Sequence, residues 1–154
     1  MTKKSDFNAE EWSLVLEGPP IAGMTVMAAE RGGTLRESVS MGKAYTEARQ
    51  AQGAGELLDE IVAANPEFDR QRFRSPEDLK TQGPRRLTEA VQLLDQRATP
   101  QEVDAYKSFI LDLADRVARA HKEGGVLGLG GKEVSASEQA ALDEIRAVLG
   151  SDAT

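Results

Sequence analysis

The chain has 154 residues, with 19 Lys and Arg against 26 Asp and Glu, a formal charge of −7, and 40% hydrophobic but only 5% aromatic side chains. That length and apolar content suit one domain around one core and exclude wholesale disorder, while the acidity disfavours nucleic-acid binding, whose affinity comes from neutralising phosphates. The absence of Cys excludes disulfides, Cys-ligated zinc, iron–sulfur clusters and thiol nucleophiles, and the single His121 excludes any chemistry that needs two imidazoles.

Met1-Thr-Lys-Lys-Ser-Asp-Phe7 has two lysines without an apolar run behind them, so it does not read as a secretory signal, and the expected compartment is the cytoplasm. Asn8-Ala-Glu-Glu11 is a capping box that opens a helix carrying Trp12, Val15 and Leu16 and ending at Gly18. Pro19 and Pro20 then suit the first turn of a second helix, where no intrahelical donor is needed, and Gly32-Gly33 closes it. The most apolar stretch, 19–29, spans only about half a hydrocarbon core at about 1.5 Å per residue, so it predicts a buried core helix and no membrane span. Its small residues Ala22, Gly23, Ala28 and Ala29, together with Gly42, predict close helix packing. Thr34-Leu-Arg-Glu37 is a second capping box, for a helix to about Gln52, and a further helix from about Ala54 to Ala64 is stopped by Asn65-Pro66.

Residues 66–98 read as an irregular basic connector. Ser75-Pro-Glu-Asp78 caps one short helix, and a separate helix from about Arg85 to Arg97 aligns Leu87, Ala90, Val91 and Leu94. Thr99-Pro-Gln-Glu102 caps the longest helix, to about Glu123, whose stripe Val103, Tyr106, Ile110, Leu113, Val117 and Ala120 has bundle-packing spacing. A Gly-rich loop over 124–131 follows. Ser135-Ala-Ser-Glu138 caps the last helix, with Leu142, Ile145 and Leu149 inward and Gly150 at its end. The fold class is all-α: a single-domain bundle of about six or seven helices, built from units 8–65 and 99–150. Both units share a Gly-Gly break, a Ser/Thr-x-x-Glu cap and a second helix. Duplication of one αα-hairpin and the common habits of helical hairpins explain that equally well.

Leu113-Ala-Asp-Arg-Val-Ala-Arg-Ala120 with Gly124, then Val134-Ser-Ala-Ser-Glu138 and Ala141-Leu-Asp-Glu-Ile-Arg-Ala-Val-Leu149, resembles the TerB-like tellurite-resistance helical domains. The resemblance is best over 113–149 and weak over 26–50. It implies a helical bundle, acidic metal sites and stress-related roles. The family's aspartate before glycine is replaced by Glu123 or Lys122, and by Arg31 or Gly32 in the first unit.

No residue set reads as an acid, base and nucleophile, so the chain is expected to bind and not to catalyse. Gly124-Gly-Val-Leu-Gly-Leu-Gly-Gly-Lys132 fails the phosphate-loop spacing, with Val126 at the first glycine and Glu133 at the metal-binding hydroxyl. Its Leu127 and Leu129 either tuck onto the bundle or contact a partner. His121 reads as a helix-end cation. Asp112 and Asp115 with Glu138 could hold a divalent hard cation, no other cofactor being implied. Equally, each aspartate has an arginine four residues on, the spacing of an ordinary ion pair. Between Arg70 and Arg86, six basic side chains face two acidic ones, a local +4 between two flanking units of −4 each. Arg70, Arg72, Arg74 and Phe73 of that island, with Phe68, would meet an anionic protein partner or RNA, or else dock on the acidic helices of the same chain.

Overall fold

A computed structural model describes residues 2–29, 35–51, 55–64, 71–124 and 136–150, with the backbone alone at 35–38, 120–124 and 136. Among the described residues the chain is all-α, with no strand. A 3-10 turn at Lys4–Asp6 precedes α1 (Ala9–Ala29), α2 (Leu35–Ala51), α3 (Glu56–Ala63), α4 (Pro76–Arg97), α5 (Pro100–Gly124) and α6 (Ala136–Leu149). No described helix is long and apolar enough to cross a membrane.

Three of the described helix starts follow their side chains, whereas α3 starts at Gly55 without a side-chain cap. Asn8 Oδ1 accepts from the Glu11 amide at 2.8 Å while Glu11 Oε1 accepts from the Asn8 amide at 2.9 Å. Thr99 and Glu102 make the same reciprocal pair at the head of α5. Ser75 Oγ accepts from the Asp78 amide at 3.1 Å and caps α4. Gly150, at φ +70°, closes α6 in the left-handed conformation that favours glycine there. The predicted boxes at Thr34 and Ser135 lie outside the described residues.

Two expected helix breaks are absent. Pro19 and Pro20 lie inside α1, and Pro84 lies inside α4, so that 76–97 of the expected irregular connector is one 22-residue helix. A proline within a helix deprives the carbonyl four residues earlier of its donor. For Pro19 that carbonyl is Val15, and Tyr106 of α5 donates its hydroxyl to it at 2.7 Å. A contact 91 residues away in sequence thus satisfies the carbonyl that the proline strands. Gly18 makes room for it, since a Cβ there would overlap the Tyr106 hydroxyl and lie 3.0 Å from its Cζ.

α1 and α5 form the centre. α4 and α6 pack on α1, α2 packs along α5, and α3 closes against α2 and α5. Every residue of α1 from Val15 to Gly23 is buried, which accounts for its lack of a single apolar stripe: a helix surrounded on all sides needs none. The α5 stripe Val103, Tyr106, Ile110, Leu113 and Val117 is buried as expected, joined by Phe109, Ala114 and Ala118. Arg49 of α2 donates from its guanidinium to the Val62 and Ala64 carbonyls and so caps the C-terminal end of α3. The small residues divide. Ala22 and Gly23 are buried between helices, and a Cβ on Gly23 would lie 2.9 Å from Leu113 Cδ2. Gly42 has nothing within 4 Å of its Cβ position and Ala28 is exposed, so neither serves close packing.

Candidate functional site

The second half of α1, the first half of α4 and α6 leave a furrow of about 520 Å³ between them. Ala28 and Ala29 form one wall, Pro76, Leu79 and Lys80 another, and Ala140 and Ala141 the third, with Glu77 and Glu144 also lining it. Alanine doublets on two helices keep it open, because no side chain there is long enough to fill it. Its lining is mixed, with small apolar walls between the polar Thr25 and Ser137 and charges of both signs. Sequence reading missed these alanines as a site. No local signal marked them, since Ala9 and Ala147 are exposed on the same two helices without lining the furrow.

The basic island is divided: Arg72 and Arg86 turn inward to Glu17, while Arg74, Lys80 and Arg85 stay exposed. Glu17 of α1 is only 5% exposed. Its Oε2 accepts from Arg86 Nη2 at 2.6 Å and Nε at 3.1 Å, and lies 3.5 Å from Arg72 Nη1. A carboxylate so deeply buried persists only when paired, and both its described partners come from the island. Phe73 is buried in the core. Arg74 donates from Nε to the Gln71 carbonyl and is otherwise exposed. Lys80 and Arg85 remain at the surface, Lys80 on the furrow. Phe68, Arg70, Leu127 and Leu129 lie outside the described residues, as does the His121 side chain.

The structure does not bring Asp112, Asp115 and Glu138 together. Asp112 accepts from Arg116 and Asp115 from Arg119, both at 2.8 Å on the outer face of α5. Glu138 is buried in the first turn of α6, at 1% exposure. Among the described residues no three His, Asp or Glu side chains gather as metal ligands. The geometry there is that of the i to i+4 ion pairs, with Glu47 of α2 adding a second carboxylate to Arg116 at 2.8 Å. That hydrogen bond to Arg116, with the charge behind it, holds the Glu47 carboxyl below the usual carboxylate range.

The N-terminal segment is stitched over the α4–α5 corner. Thr2 donates its amide and hydroxyl to Glu102 at 3.0 and 2.7 Å, and Arg97 forks onto Glu11 while also bonding the Asp6 carbonyl. Burial raises the Glu102 pKa, but the hydrogen bonds from Thr99 and Thr2 outweigh it and hold the carboxyl below its ordinary value. Both tyrosines are shifted upward. Burial is the main cause for Tyr106, followed by the nearby Tyr45 and Glu17. Burial also raises Tyr45, against the opposing charge of Arg49, whose guanidinium carbon sits 5.9 Å from the ring centroid. The charged and polar groups described so far stabilise the fold, and they leave open the furrow and, beside the N-terminal segment, a larger hollow of about 680 Å³ around Phe7, Trp12 and Glu60.

Comparison with protein-family models, with curated proteins and with solved structures returns no match.

Proposed function

We propose that the chain is a non-catalytic, cytoplasmic interaction protein that receives a protein partner in the α1–α4–α6 furrow, in a stress-related role of the kind the TerB-like resemblance over 113–149 implies. The furrow itself carries this reading: an open depression of about 520 Å³ formed by three helices, with alanine walls and a rim of both charges. That size is within the range of ligand-holding clefts. The basic island contributes through Lys80, which lines the furrow beside Glu77 and Glu144. Arg72 pairs with Glu17 and Phe73 is buried in the core, so neither lines the furrow.

Photo-crosslinking amino acids placed at Ala28 and Ala140 in living cells test the reading, with exposed Gln92 on α4 as the control position. The expected result is one adduct of the same mass from Ala28 and Ala140, lost on Ala141→Trp, and none from Gln92. Equal labelling at all three positions, or none at the two alanines, would overturn it.

A further inference from the structure

We propose that the furrow opens by a hinge: the part of α4 before Pro84 swings as a unit against α1 and α6, latched by Glu17, while α1 beyond Pro20 stays fixed in the core through Ile21, Ala22 and Val26. The proposal rests on the furrow being the contact site. Both walls of the furrow that face α6 lie on the far side of a proline from the rest of their helix. Thr25, Ala28 and Ala29 follow Pro20, and Pro76, Leu79 and Lys80 precede Pro84. Each proline removes one rung of the helical ladder, at Val15, Leu16 and Lys80, and prolines are where helices change direction.

The two half-helices are fitted to each other at that level. A Cβ on Gly83 would lie 3.3 Å from Ile21 Cγ2 and 3.6 Å from Thr25 Oγ1, so side chains of α1 rest on the backbone of α4. Such a contact makes the fixed half of α1 the bearing on which the α4 half turns. Arg86 stands two residues after Pro84, so its ion pair with Glu17 joins α1 to the stationary side of the hinge in α4. Arg72 approaches the same carboxylate from the segment that leads into the moving half of α4. The Arg72 contact spans the hinge and has to break when the unit swings, whereas the Arg86 contact survives as the pivot. Closure therefore depends on a carboxylate buried in the middle of the central helix, at a place where an apolar side chain would pack without any need for partners.

The chain has no cysteine, so introduced pairs label uniquely. Spin labels on Thr81→Cys and Ala147→Cys, both exposed and outside the furrow lining, report the distance from the moving half of α4 to α6. A reference pair on Gln92→Cys and Asp104→Cys reports the stationary half. The parent chain is expected to show a minor longer-distance population for the first pair. Arg72→Gln, which removes the spanning contact and leaves the pivot, increases that population about two- to fivefold, the scale of a partly exposed ion pair. Pro84→Ala, which restores the donor to the Lys80 carbonyl, reduces it, and the reference pair stays unchanged in both variants. An unchanged Thr81–Ala147 distribution in both variants, or equal broadening of the reference pair, overturns the hinge. These distances are read on the full chain alone, so the hinge can fail while crosslinking at Ala140 stands, and the reverse.

Discussion

Replacing Tyr106 with Phe deletes one hydroxyl and almost no volume, and it tests whether a side chain from α5 completes the backbone of α1. The hydroxyl donates to the Val15 carbonyl at 2.7 Å and the Tyr106 side chain is fully buried. Pro19 offers that carbonyl no amide, so in Tyr106→Phe it is left without its described donor, at a cost of about 1–3 kcal/mol. With a urea m-value of about 2 kcal/mol/M, a loss near 2 kcal/mol lowers the unfolding midpoint by about 1 M at unchanged slope. The discriminating measurement is the double-mutant cycle with Pro19→Ala. Alanine at 19 restores the helical donor to Val15, so Tyr106→Phe in that background should cost less, by a coupling energy of at least about 1 kcal/mol. Coupling indistinguishable from zero would refute the idea that the tyrosine stands in for the missing helical bond.

Three further outcomes follow from the same geometry. Both tyrosines have folded pKa values raised above the unfolded value near 10. The stability this gives is complete below about pH 10 and is lost as pH rises towards the folded values, because the unfolded chain ionises first. Phenolate absorbance should thus appear only together with loss of helical circular dichroism; phenolate formed in a still-folded chain contradicts the burial argument. Glu17→Ala strands Arg86 and should cost about 3–5 kcal/mol, whereas Glu17, Arg72 and Arg86 all changed to Met should cost much less; equal losses in denaturant titration would show that charge pairing is not the point. Glu102, with its folded pKa lowered, contributes stability that is present above its unfolded value near 4.3 and is lost as pH falls through the folded value. Its carboxyl resonance should titrate below that of a model glutamate, and Thr2→Val should raise the midpoint; no change would mean that the N-terminal stitch does not form.

Helix starts were legible in the sequence wherever the cap is local. The Asn8–Glu11 and Thr99–Glu102 pairs and the Ser75 cap each join residues three apart, and all three form as the spacing predicts. The α5 stripe was legible for the same reason, since 3.6-residue periodicity is a local property. Pro19, Pro20 and Pro84 misled because a proline marks a helix start only if nothing else satisfies the carbonyl it strands. Tyr106 does so for Val15 from 91 residues away. The basic island was visible as charge, but its pairing was not. Glu17 carries no local sign of burial, because Trp12, Val15 and Leu16 suggest a one-sided helix when α1 is in fact enclosed. The furrow was hidden more deeply still: its alanines come from helices whose adjacency only the tertiary fold decides.

The positions of the Gly-Pro steps link these separate surprises. Gly18-Pro19 in α1 and Gly83-Pro84 in α4 both lie mid-helix, and at both the glycine admits a side chain from a neighbouring helix. Glycine and proline are poor choices for a helix interior, by about 1 and 3 kcal/mol relative to alanine. Neither helix is therefore expected to continue through its step in isolation, and a peptide of residues 9–29 should show helical signal for far fewer residues than the intact chain. Continuity comes from packing: Tyr106 at one step, Ile21 and Thr25 at the other, and the Arg86–Glu17 pair between them. Helices completed by their neighbours tie local order to the assembly of the whole bundle. The same dependence leaves their far halves, which line the furrow, as the segments least secured by their own backbone.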